Sequence, residues 1–550
     1  MILATETPSA CAETSGSAPI WFVLDSLSPD LAAAAHLVQS AESAHTGLWP
    51  RSNHLGRVFE AVALARPGHA SITSDQGGVT YRALRDAAHA VRDELLATRG
   101  FLAGDRVVLL LENGPEYAAA LYGTLLACGV VVPLPPNAES SRVEHAIQAT
   151  DARCVLSSAK VVRRRRQQLA AEPAVLKLAA TTDQVVRNET ALPIDDSLAA
   201  IFFTSGSSGE PKGVTLSHAN LLSNAASIIE YLGITSNERA LGLLPFYHAF
   251  GNSVLQTHLL TGATIVLAES SIFPETILDA VRDHNVTSLS GVPDLFRTLL
   301  SRTSFGEVNL PSLRYLAVAG GRLDPDQAQT LAFRAAPAKL IIMYGQTEAT
   351  ARLSYLPAEE FEDRYGSIGK GVPGVTLEVV DDDGLPVAPG CVGEIRARGP
   401  NVMLGYWNDV EATSKVLRDG WLYTGDLATV DDGGFIYAQG RKSGLVKVAG
   451  FRVHPAEIED FVRREADVLE AVVVSYEAGS LGTRFALFAQ PWAGEDALTE
   501  ESLRRLCSSG LPRHKMPQHI EVLERLPLND SHKVDRRSLQ CRAEAAAITR

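Results

Sequence analysis

From about Leu55 to residue 345, short apolar runs rich in Val and Ile alternate with longer amphipathic stretches. The run RVVLLLE (106–112) precedes PEYAAALYGTLLACG, and AAIFFTS (199–205) comes shortly before SHANLLSNAASIIEYLG. Buried parallel strands have continuous apolar sequences, and the chain must cross a face of the sheet between them, usually as a helix. The pattern therefore predicts a large α/β unit.

Turn signals and a smaller repeat of the pattern follow. The segments DDDG (381–384) and DDGG (431–434) lie between strand-like runs and predict hairpins. Further on, the sequence predicts a helix over PAEIEDFVRRE and strands over EAVVVSYE and RFALFAQP. Because 550 residues are too many for one compact core, we expect a large N-terminal domain of α/β subdomains with a β-rich subdomain, and a small α+β C-terminal domain.

The negative net charge argues against nucleic acids and anionic membranes as the main partner. The chain has 50 Lys and Arg against 64 Asp and Glu, which gives a net charge of -14. Nucleic acids and anionic membrane surfaces select basic proteins, so neither is expected as the main partner. A small anionic ligand would need basic groups concentrated at its site.

Cysteine spacing and hydropathy indicate a compartment. The six cysteines are far apart and show no metal-ligand spacing, which favours a reducing environment. No apolar run reaches the roughly 18 residues of a membrane-spanning helix, and the N-terminus lacks a basic segment followed by a long apolar one. The sequence predicts a cytoplasmic protein without a membrane span.

The segment TSGSSGEPKG, Thr204–Gly213, has the composition of a phosphate-binding loop. Glycine allows close approach of the backbone to an anion, Ser and Thr add hydroxyl donors, and Lys212 adds positive charge. We expect the loop to connect a strand to a helix, where open α/β sheets bind ligands; a flexible Ser/Gly loop is the alternative. Gly213 stands where the P-loop of NTPases requires Ser or Thr, which argues against that class.

This loop resembles the phosphate loop of the acyl-adenylate-forming superfamily, which includes acyl-CoA synthetases, adenylation domains and luciferases. The resemblance extends in order over residues 55–540. Its further segments are LPFYHAFGN (244–252), AGGR (319–322), YGQTE (344–348), YTGD (423–426) and GRKSGLVKVAGFRVHPAEIE (440–459). The segment PFYHAFG is similar to the AMP-dependent acyl and aryl acid–CoA ligase branch.

The resemblance assigns these residues to ATP, to the acid and to the thiol. The nucleotide- and thiol-binding residues that it implies are Thr204, Ser205, Gly206, Ser207, Ser208, Gly209 and Lys212 in the loop, Gly320, Gly321, Arg322, Tyr344, Gly345, Gln346 and Thr347 around adenine and the α-phosphate, Asp426 and Arg441 around ribose, and Lys447 and Gly450 along the thiol tunnel. Mg²⁺, which prefers carboxylate and phosphate oxygens, is assigned to Glu348 with Thr204. His248 is implied at the border of the acyl pocket.

A lone lysine, Lys533, stands in the polar segment LPLNDSHKVDRRSL, residues 526–539. The segment is similar to the closing family pattern Pro-x-x-x-x-Gly-Lys-[IV]-x-Arg, with Pro527, Lys533, Val534 and Arg536 in place. The resemblance makes Lys533 the adenylation lysine and adds Thr347, His248 and Arg441 as catalytic residues. Two positions depart from the family: His532 replaces the usual glycine, and Ser443 replaces an acidic residue or lysine at the hinge.

The resemblance implies an AMP-forming acid–thiol ligase. A fatty or aryl acid would be activated by ATP with Mg²⁺, and the acyl group would pass to coenzyme A or to the phosphopantetheine arm of a separate acyl carrier protein. The expected domains are an Ala/Ser-rich extension over 1–53, an ATP- and acid-binding domain over 54–440, a hinge at 441–443 and a small mobile domain over 444–550.

Two further hypotheses stay open. The adenylate could be passed to an amine or another nucleophile, or the chain could be a non-catalytic nucleotide-binding protein. The second hypothesis predicts damage at Glu348, Lys533 or the phosphate loop, and all three are intact in the sequence.

Overall fold

The structure is a computed structural model with two compact units. It describes residues 20–24, 53–166, 175–178, 198–204, 211–268, 274–444, 446–448, 451–453, 455–477, 482–492, 498–528 and 534–548. The larger unit comprises Met1–Glu378, Arg396–Thr424 and Gly433–Ile436, and the smaller unit comprises Val379–Ile395, Gly425–Asp432 and Tyr437–Arg550.

Strands and helices alternate along the first part of the chain, as the apolar pattern predicts. In chain order they are β1 (Ile20–Leu24), α1 (Leu55–Ala65), β2 (Ala70–Ser74), β3 (Gly77–Thr80), α2 (Tyr81–Ala97), β4 (Arg106–Leu110), α3 (Pro115–Leu126), β5 (Val130–Pro133), α4 (Ser140–Thr150), β6 (Cys154–Ser158), α5 (Ala159–Arg166), β7 (Val175–Leu178), β8 (Leu198–Thr204), β9 (Lys212–Ser217), α6 (His218–Leu232), β10 (Arg239–Leu241), α7 (Ala249–Leu259), β11 (Thr264–Val266), α8 (Glu275–Asp283), β12 (Ser288–Gly291), α9 (Pro293–Arg302), β13 (Tyr315–Val318), α10 (Pro325–Ala335), β14 (Lys339–Tyr344), β15 (Ser354–Leu356), β16 (Lys370–Gly371) and β17 (Thr376–Val380).

The remainder is richer in short strands. Its elements are β18 (Gly393–Arg398), β19 (Gly405–Tyr406), α11 (Val410–Val416), β20 (Leu417–Arg418), β21 (Trp421–Val430), β22 (Ile436–Arg441), β23 (Val446–Val448), β24 (Phe451–Val453), α12 (Pro455–Glu465), β25 (Glu470–Glu477), β26 (Thr483–Gln490), α13 (Glu500–Gly510), β27 (His519–Val522) and α14 (Arg536–Ile548). The structure confirms the mixed α/β class.

The first large sheet has the strand order β19-β9-β8-β5-β4-β6-β1-β7. Strand β9 runs antiparallel to β8, with Thr204 opposite Lys212. The predicted connection of the phosphate loop to a helix is therefore wrong, because the loop joins two antiparallel strands. Helix α6 begins only at His218, where Ser217 and Asn220 form a reciprocal capping box.

Strand β1 of this sheet comes from the segment predicted as an N-terminal extension. Ile20–Leu24 lies between β6 and β7 and runs parallel to both. The rest of residues 1–52 lies outside the described ranges, so the limits of the extension stay a prediction.

The second large sheet has the order β16-β15-β14-β13-β12-β10-β11-β2-β3. The pairings from β14 through β13, β12, β10 and β11 to β2 are all parallel, whereas β15 and β3 pair in the antiparallel sense. The carboxyl ends of the inner strands consequently lie along one edge of the sheet.

Both predicted turns form hairpins. In DDDG, the Asp381 carboxylate accepts hydrogen bonds from the amides of Asp383 and Leu385, and a bridge joins Val380 to Pro386. DDGG connects β21 to its partner β22, with Gly434 at φ 79°. A short polar side chain and a glycine at positive φ are the features that the sequence offered for these turns.

The smaller unit has a sheet of order β25-β26-β27 with an apolar core on each face. Along β25, Val473 packs toward α12 and α13, whereas Val472 and Val474 pack toward α14. This alternation follows the two-residue period of a strand. Among the described helices of the chain, none is long and apolar enough to cross a membrane.

A pair of buried histidines links α1 to α6 in the larger unit. The rings of His54 and His218 stack with their centroids 4.0 Å apart, and the Leu55 amide donates to His218 Nδ1 over 3.2 Å. Burial lowers the pKa of His54 to about 4 and that of His218 to about 3, so both rings are neutral in the folded protein near neutral pH. Protonation of either ring favours the unfolded chain.

We expect acid to destabilise the larger unit through these rings. Because their folded pKa values lie below the unfolded value of about 6.5, stability is fully present above pH 6.5 and falls as pH drops toward 4. Replacing His54 with Phe keeps a stacked ring and should remove roughly 1.5 kcal/mol of the loss between pH 6.5 and 5. Urea unfolding at both pH values measures this.

The matched control is His145→Gln, because His145 is exposed on α4. It should leave the pH dependence of the unfolding free energy unchanged. An equal pH dependence in wild type and His54→Phe would contradict the assignment.

Candidate active site

Three predicted motif segments and the turn at 292–293 follow neighbouring parallel strands of the second sheet. Strands β10, β12, β13 and β14 are adjacent, and their register places Gly291 beside Val318 and Val318 beside Ile342. The segments 242–252, 292–293, 319–322 and 344–348 therefore emerge at the same edge. Open parallel sheets bind ligands at this edge.

Glycines are required where these segments approach one another. Gly320 has φ 86°, which disfavours any other residue, and a Cβ there would lie 3.3 Å from the Val292 side chain. A Cβ on Gly345 would lie 2.0 Å from the Ala351 carbonyl oxygen. Gly321 and Arg322 are exposed beside Gly320, which leaves an open surface of the kind a flat adenine ring needs.

The segment that contains His248 is fixed by hydrogen bonds to half-buried Asn113 and buried Tyr117. Asn113 accepts a hydrogen bond from the Phe246 amide over 2.8 Å and donates to the Leu244 carbonyl over 2.8 Å. The Tyr117 hydroxyl donates to the Phe246 carbonyl over 2.8 Å. The turn before α7 thus has a defined shape, and it places His248 at the N-cap position of that helix.

Glu348 lies in a single 3₁₀ turn, Thr347–Ala349, directly after β14. Its backbone carbonyl accepts from the Met403 amide over 2.9 Å, and its Oε1 accepts from the Tyr406 hydroxyl over 2.8 Å. The Lys212 ammonium lies 5.1 Å from the centre of the Tyr406 ring, within cation–π range. Tyr406 thus connects the predicted metal ligand to the end of the phosphate loop.

Sequence reasoning gave Tyr406 no role. The ring reaches Glu348 because β19 pairs with β9, with Tyr406 opposite Val214 and Gly405 opposite Thr215. The apolar run MLGYW was the available signal of a strand, but nothing in it identifies the partner strand.

We expect Tyr406→Phe to lower the rate of acid-dependent exchange of pyrophosphate into ATP roughly tenfold. The variant keeps the ring beside Lys212 and loses the hydrogen bond to a carboxylate, a contact of about 1.5–3 kcal/mol that fixes the Glu348 rotamer. Tyr365→Phe is the matched control, because the Tyr365 hydroxyl donates to a carboxylate outside the motif segments, that of Asp326. Equal effects of the two substitutions would remove Tyr406 from the site.

Glu348 and Thr204 fit a Mg²⁺ site in which the protein supplies only one or two of the ligands. Within the described ranges, no group of three or more His, Cys, Asp or Glu side chains could hold a metal ion. Glu348 offers one carboxylate and Thr204 a hydroxyl at the end of β8. Mg²⁺ in nucleotide sites is commonly held by one or two carboxylates with phosphate and water oxygens as the other ligands.

The phosphate loop is described only at its ends. Thr204 and Lys212 are paired residues of β8 and β9, and Thr204 Oγ1 donates to the Lys212 carbonyl over 3.4 Å. The predicted residues Ser205, Gly206, Ser207, Ser208 and Gly209 lie outside the described residues.

In the smaller unit, the two predicted ribose residues form an ion pair. Arg441 Nε lies 2.8 Å from Asp426 Oδ1, and Asp426 is buried. Next to them, Lys442 pairs with Asp382 at 3.0 Å and with Glu394 at 3.1 Å. Hydrogen bonding to Asp382 raises the pKa of Lys442, so this lysine carries its charge at neutral pH.

The structure describes only the two ends of the segment that carries Lys533, up to residue 528 and from residue 534. Lys533 and His532 themselves lie outside the described residues, as does Gly450, while Lys447 belongs to strand β23. A bridge joins Leu528 to Val534 at the two ends of the segment.

The helix that follows this segment is anchored by a buried carboxylate. Arg536 Nη2 lies 2.8 Å from Oε1 of Glu459, which is 3% exposed in α12. Arg536 Nη1 also donates to the Val473 carbonyl over 2.9 Å. Arg536 of the predicted motif thus fixes the end of the lysine segment to α12 and β25.

Comparisons with known proteins agree with this arrangement. A feruloyl-CoA synthase from an Amycolatopsis species is 31% identical over 490 residues, which cover 88% of this chain and 98% of that protein. A long-chain-fatty-acid–CoA ligase from Salmonella typhimurium is 29% identical over 536 residues, which cover 89% and 94%. The o-succinylbenzoate CoA synthetase from Bacillus subtilis, solved with an acyl-adenylate intermediate, has a TM-score of 0.76 at 26% identity and covers 88% of this chain and 97% of its own.

The family assignment covers both units. Residues 457–533 match the AMP-binding enzyme C-terminal domain. Residues 59–407, which include every motif segment from the phosphate loop to Tyr406, match the AMP-binding enzyme family, and the chain belongs to that family.

Proposed function

We propose that this protein activates a carboxylic acid with ATP and transfers the acyl group to coenzyme A. The observation that carries the proposal is the convergence of the AGGR, YGQTE and LPFYHAFGN segments at one edge of a parallel sheet, with Glu348 tied through Tyr406 to the end of the phosphate loop. The relatives named as CoA ligases and synthases, and a structural neighbour solved with an acyl-adenylate, support it.

The first step joins two anions. An oxygen of the carboxylate forms a bond to the α-phosphorus of ATP, the bond to the β-phosphate oxygen breaks, and pyrophosphate leaves with that electron pair. Lys212, Thr204 and the loop amides would hold the phosphates, Thr347 would contact the α-phosphate, and Lys533 would bring positive charge to the reacting oxygens. When bound by Glu348, Mg²⁺ would supply further charge neutralisation.

The second step moves the acyl group to sulfur. The thiol of coenzyme A loses its proton and attacks the carbonyl carbon of the mixed anhydride, and AMP leaves. Coenzyme A is the acceptor that we propose, since the relatives are named for coenzyme A products. The described cysteines form no disulfide, in keeping with a reducing, cytoplasmic site of action for an ATP- and coenzyme A-dependent enzyme.

Pyrophosphate release from ATP and Mg²⁺ with a panel of aliphatic and aryl acids tests the proposal. Release that requires an acid and rises with coenzyme A is the expected result. Acid-dependent release that coenzyme A does not stimulate would favour a carrier protein or an amine as acceptor. Absence of release with every acid would contradict the function.

A further inference from the structure

Arg352 is a buried cation four residues after Glu348. Its side chain is 3% exposed, and its guanidinium carbon lies 3.9 Å from the centre of the Phe250 ring. Nε donates to Met343 Sδ over 3.3 Å, and Nη1 donates to the Ala351 carbonyl over 3.3 Å. A tyrosine hydroxyl also hydrogen-bonds to the guanidinium, so the five N–H donors face a thioether, a carbonyl, a hydroxyl and an aromatic ring, all of them neutral.

Within the described part of the chain, no carboxylate pairs with this charge. Burial lowers the pKa of Arg352, and the Tyr231 hydroxyl opposes that shift. By contrast, buried Arg297 lies against Asp294, and Arg463 pairs with Glu459 and Glu470. Arginine keeps its proton in proteins, so among the described residues the positive charge of Arg352 lacks a compensating anion, which is costly in a protein interior.

Hydrogen bonds from two asparagine side chains fix the backbone at Arg352. The Arg352 carbonyl accepts hydrogen bonds from Asn224 Nδ2 over 3.0 Å and from Asn401 Nδ2 over 2.8 Å. Two residues earlier, Thr350 has φ 67°, which is a genuine outlier for a β-branched residue. Such backbone strain concentrates at functional sites, where surrounding contacts enforce it.

The neighbours of Arg352 belong to the walls of the candidate active site. Phe250 is part of the segment after β10, and Met343 is the second-last residue of β14. Both pack in one apolar cluster with Ala319, the first residue of AGGR, and with Tyr231. The guanidinium therefore lies among residues that follow or end β10, β13 and β14, where the proposed function places the acid.

We propose that Arg352 binds a second carboxylate of the acid substrate, which makes dicarboxylic acids the substrate class. The inference rests on the proposed function and deepens it. A guanidinium presents two parallel N–H groups that match both oxygens of a carboxylate. The reacting carboxylate must lie at the α-phosphate, whereas Arg352 stacks on Phe250 inside an apolar cluster, which suits the far end of the acid.

Matched acids test the inference. Pyrophosphate exchange is measured with monocarboxylic and dicarboxylic acids of equal carbon number, and with benzoate against its carboxylated analogues. In the wild type, kcat/KM is expected to be at least about tenfold higher for one diacid than for its monoacid partner. In Arg352→Leu, kcat/KM for that diacid should fall at least about 30-fold, the effect of truncating one partner of a buried charge pair, while the monoacid changes less than about threefold.

Two further variants separate specificity from stability. Arg297→Leu removes a buried arginine that has its own carboxylate partner, so it should affect both acids alike and keep their ratio. Arg352→Lys keeps the charge without the paired donors, should retain part of the preference, and provides the test if the leucine variant does not fold.

The outcomes distinguish the two proposals. A wild type that prefers the monoacid at every length would overturn the role of Arg352 and leave the ligase function intact. Equal losses for both acids in Arg352→Leu would assign the arginine to the reacting carboxylate or to folding, and would also overturn it. Inactivity with every acid would defeat the proposed function itself.

Discussion

Lys533→Ala is expected to lower acid-dependent exchange of pyrophosphate into ATP at least about 100-fold, because one charge contact in the adenylation transition state is lost. Thioester formation from supplied acyl-AMP and coenzyme A should stay within about threefold of wild type, because acyl-AMP already contains the bond to the α-phosphorus that Lys533 would help to form. The two reactions are assayed on the same preparation.

The contacts at the two ends of the lysine segment should keep the fold intact when Lys533 is replaced. The Leu528–Val534 bridge and the contact of Arg536 with buried Glu459 fix both ends of the segment without the lysine. Removal of the ammonium group should therefore leave the melting temperature unchanged. Lys515→Ala is the matched control, because Lys515 pairs with Glu457 in the same unit. Full exchange activity in Lys533→Ala would refute the adenylation role.

The alternation of strands and helices in the larger unit is predictable from the sequence, for a physical reason. Continuous apolar runs identify buried strands, and parallel strands bring the segments after their carboxyl ends to one edge. The segments after β10, β13 and β14 thus come together. The expectation that failed concerns the phosphate loop, which leads into β9 instead of a helix.

Gly213 explains that error. A glycine next to a Gly/Ser-rich loop is predicted to belong to that loop. Gly213 instead lies within β9, where a Cβ would come within 2.8 Å of the Ile201 side chain. Glycine in a strand often marks a position that neighbouring groups approach closely, here the side chain of Ile201. Composition alone does not separate a glycine that bends the chain from one that lets strands pack.

The residues that sequence reasoning missed depend on distant contacts. Tyr406 meets Glu348 across 58 positions through an edge pairing, and periodicity says nothing about which edges pair. From the sequence, Arg352 is expected on the surface, because arginines are mostly exposed. Only the packed structure shows that it is buried beside Phe250.

Glu348→Gln is expected to lower pyrophosphate exchange at least about 100-fold through weaker binding of Mg²⁺. The amide oxygen can still accept from the Tyr406 hydroxyl, and the backbone bond from Met403 is unaffected, so the fold should be kept. The Mg²⁺ concentration for half-maximal ATP binding should rise about tenfold or more, because loss of even an outer-shell partner of a metal lowers its affinity about 10–100-fold. Calorimetric ATP titrations at several Mg²⁺ concentrations measure it.

A control and a double variant complete the experiment. Glu359→Gln changes an exposed glutamate that pairs with Lys339, and it should alter neither quantity. If Tyr406 acts by orienting Glu348, then Tyr406→Phe should have little further effect in the Glu348→Gln background, because residues in one hydrogen-bonded unit are not additive. Additive losses would show that the Tyr406 hydroxyl does not act by orienting Glu348, and lost activity with an unchanged Mg²⁺ requirement would remove Glu348 from the metal site.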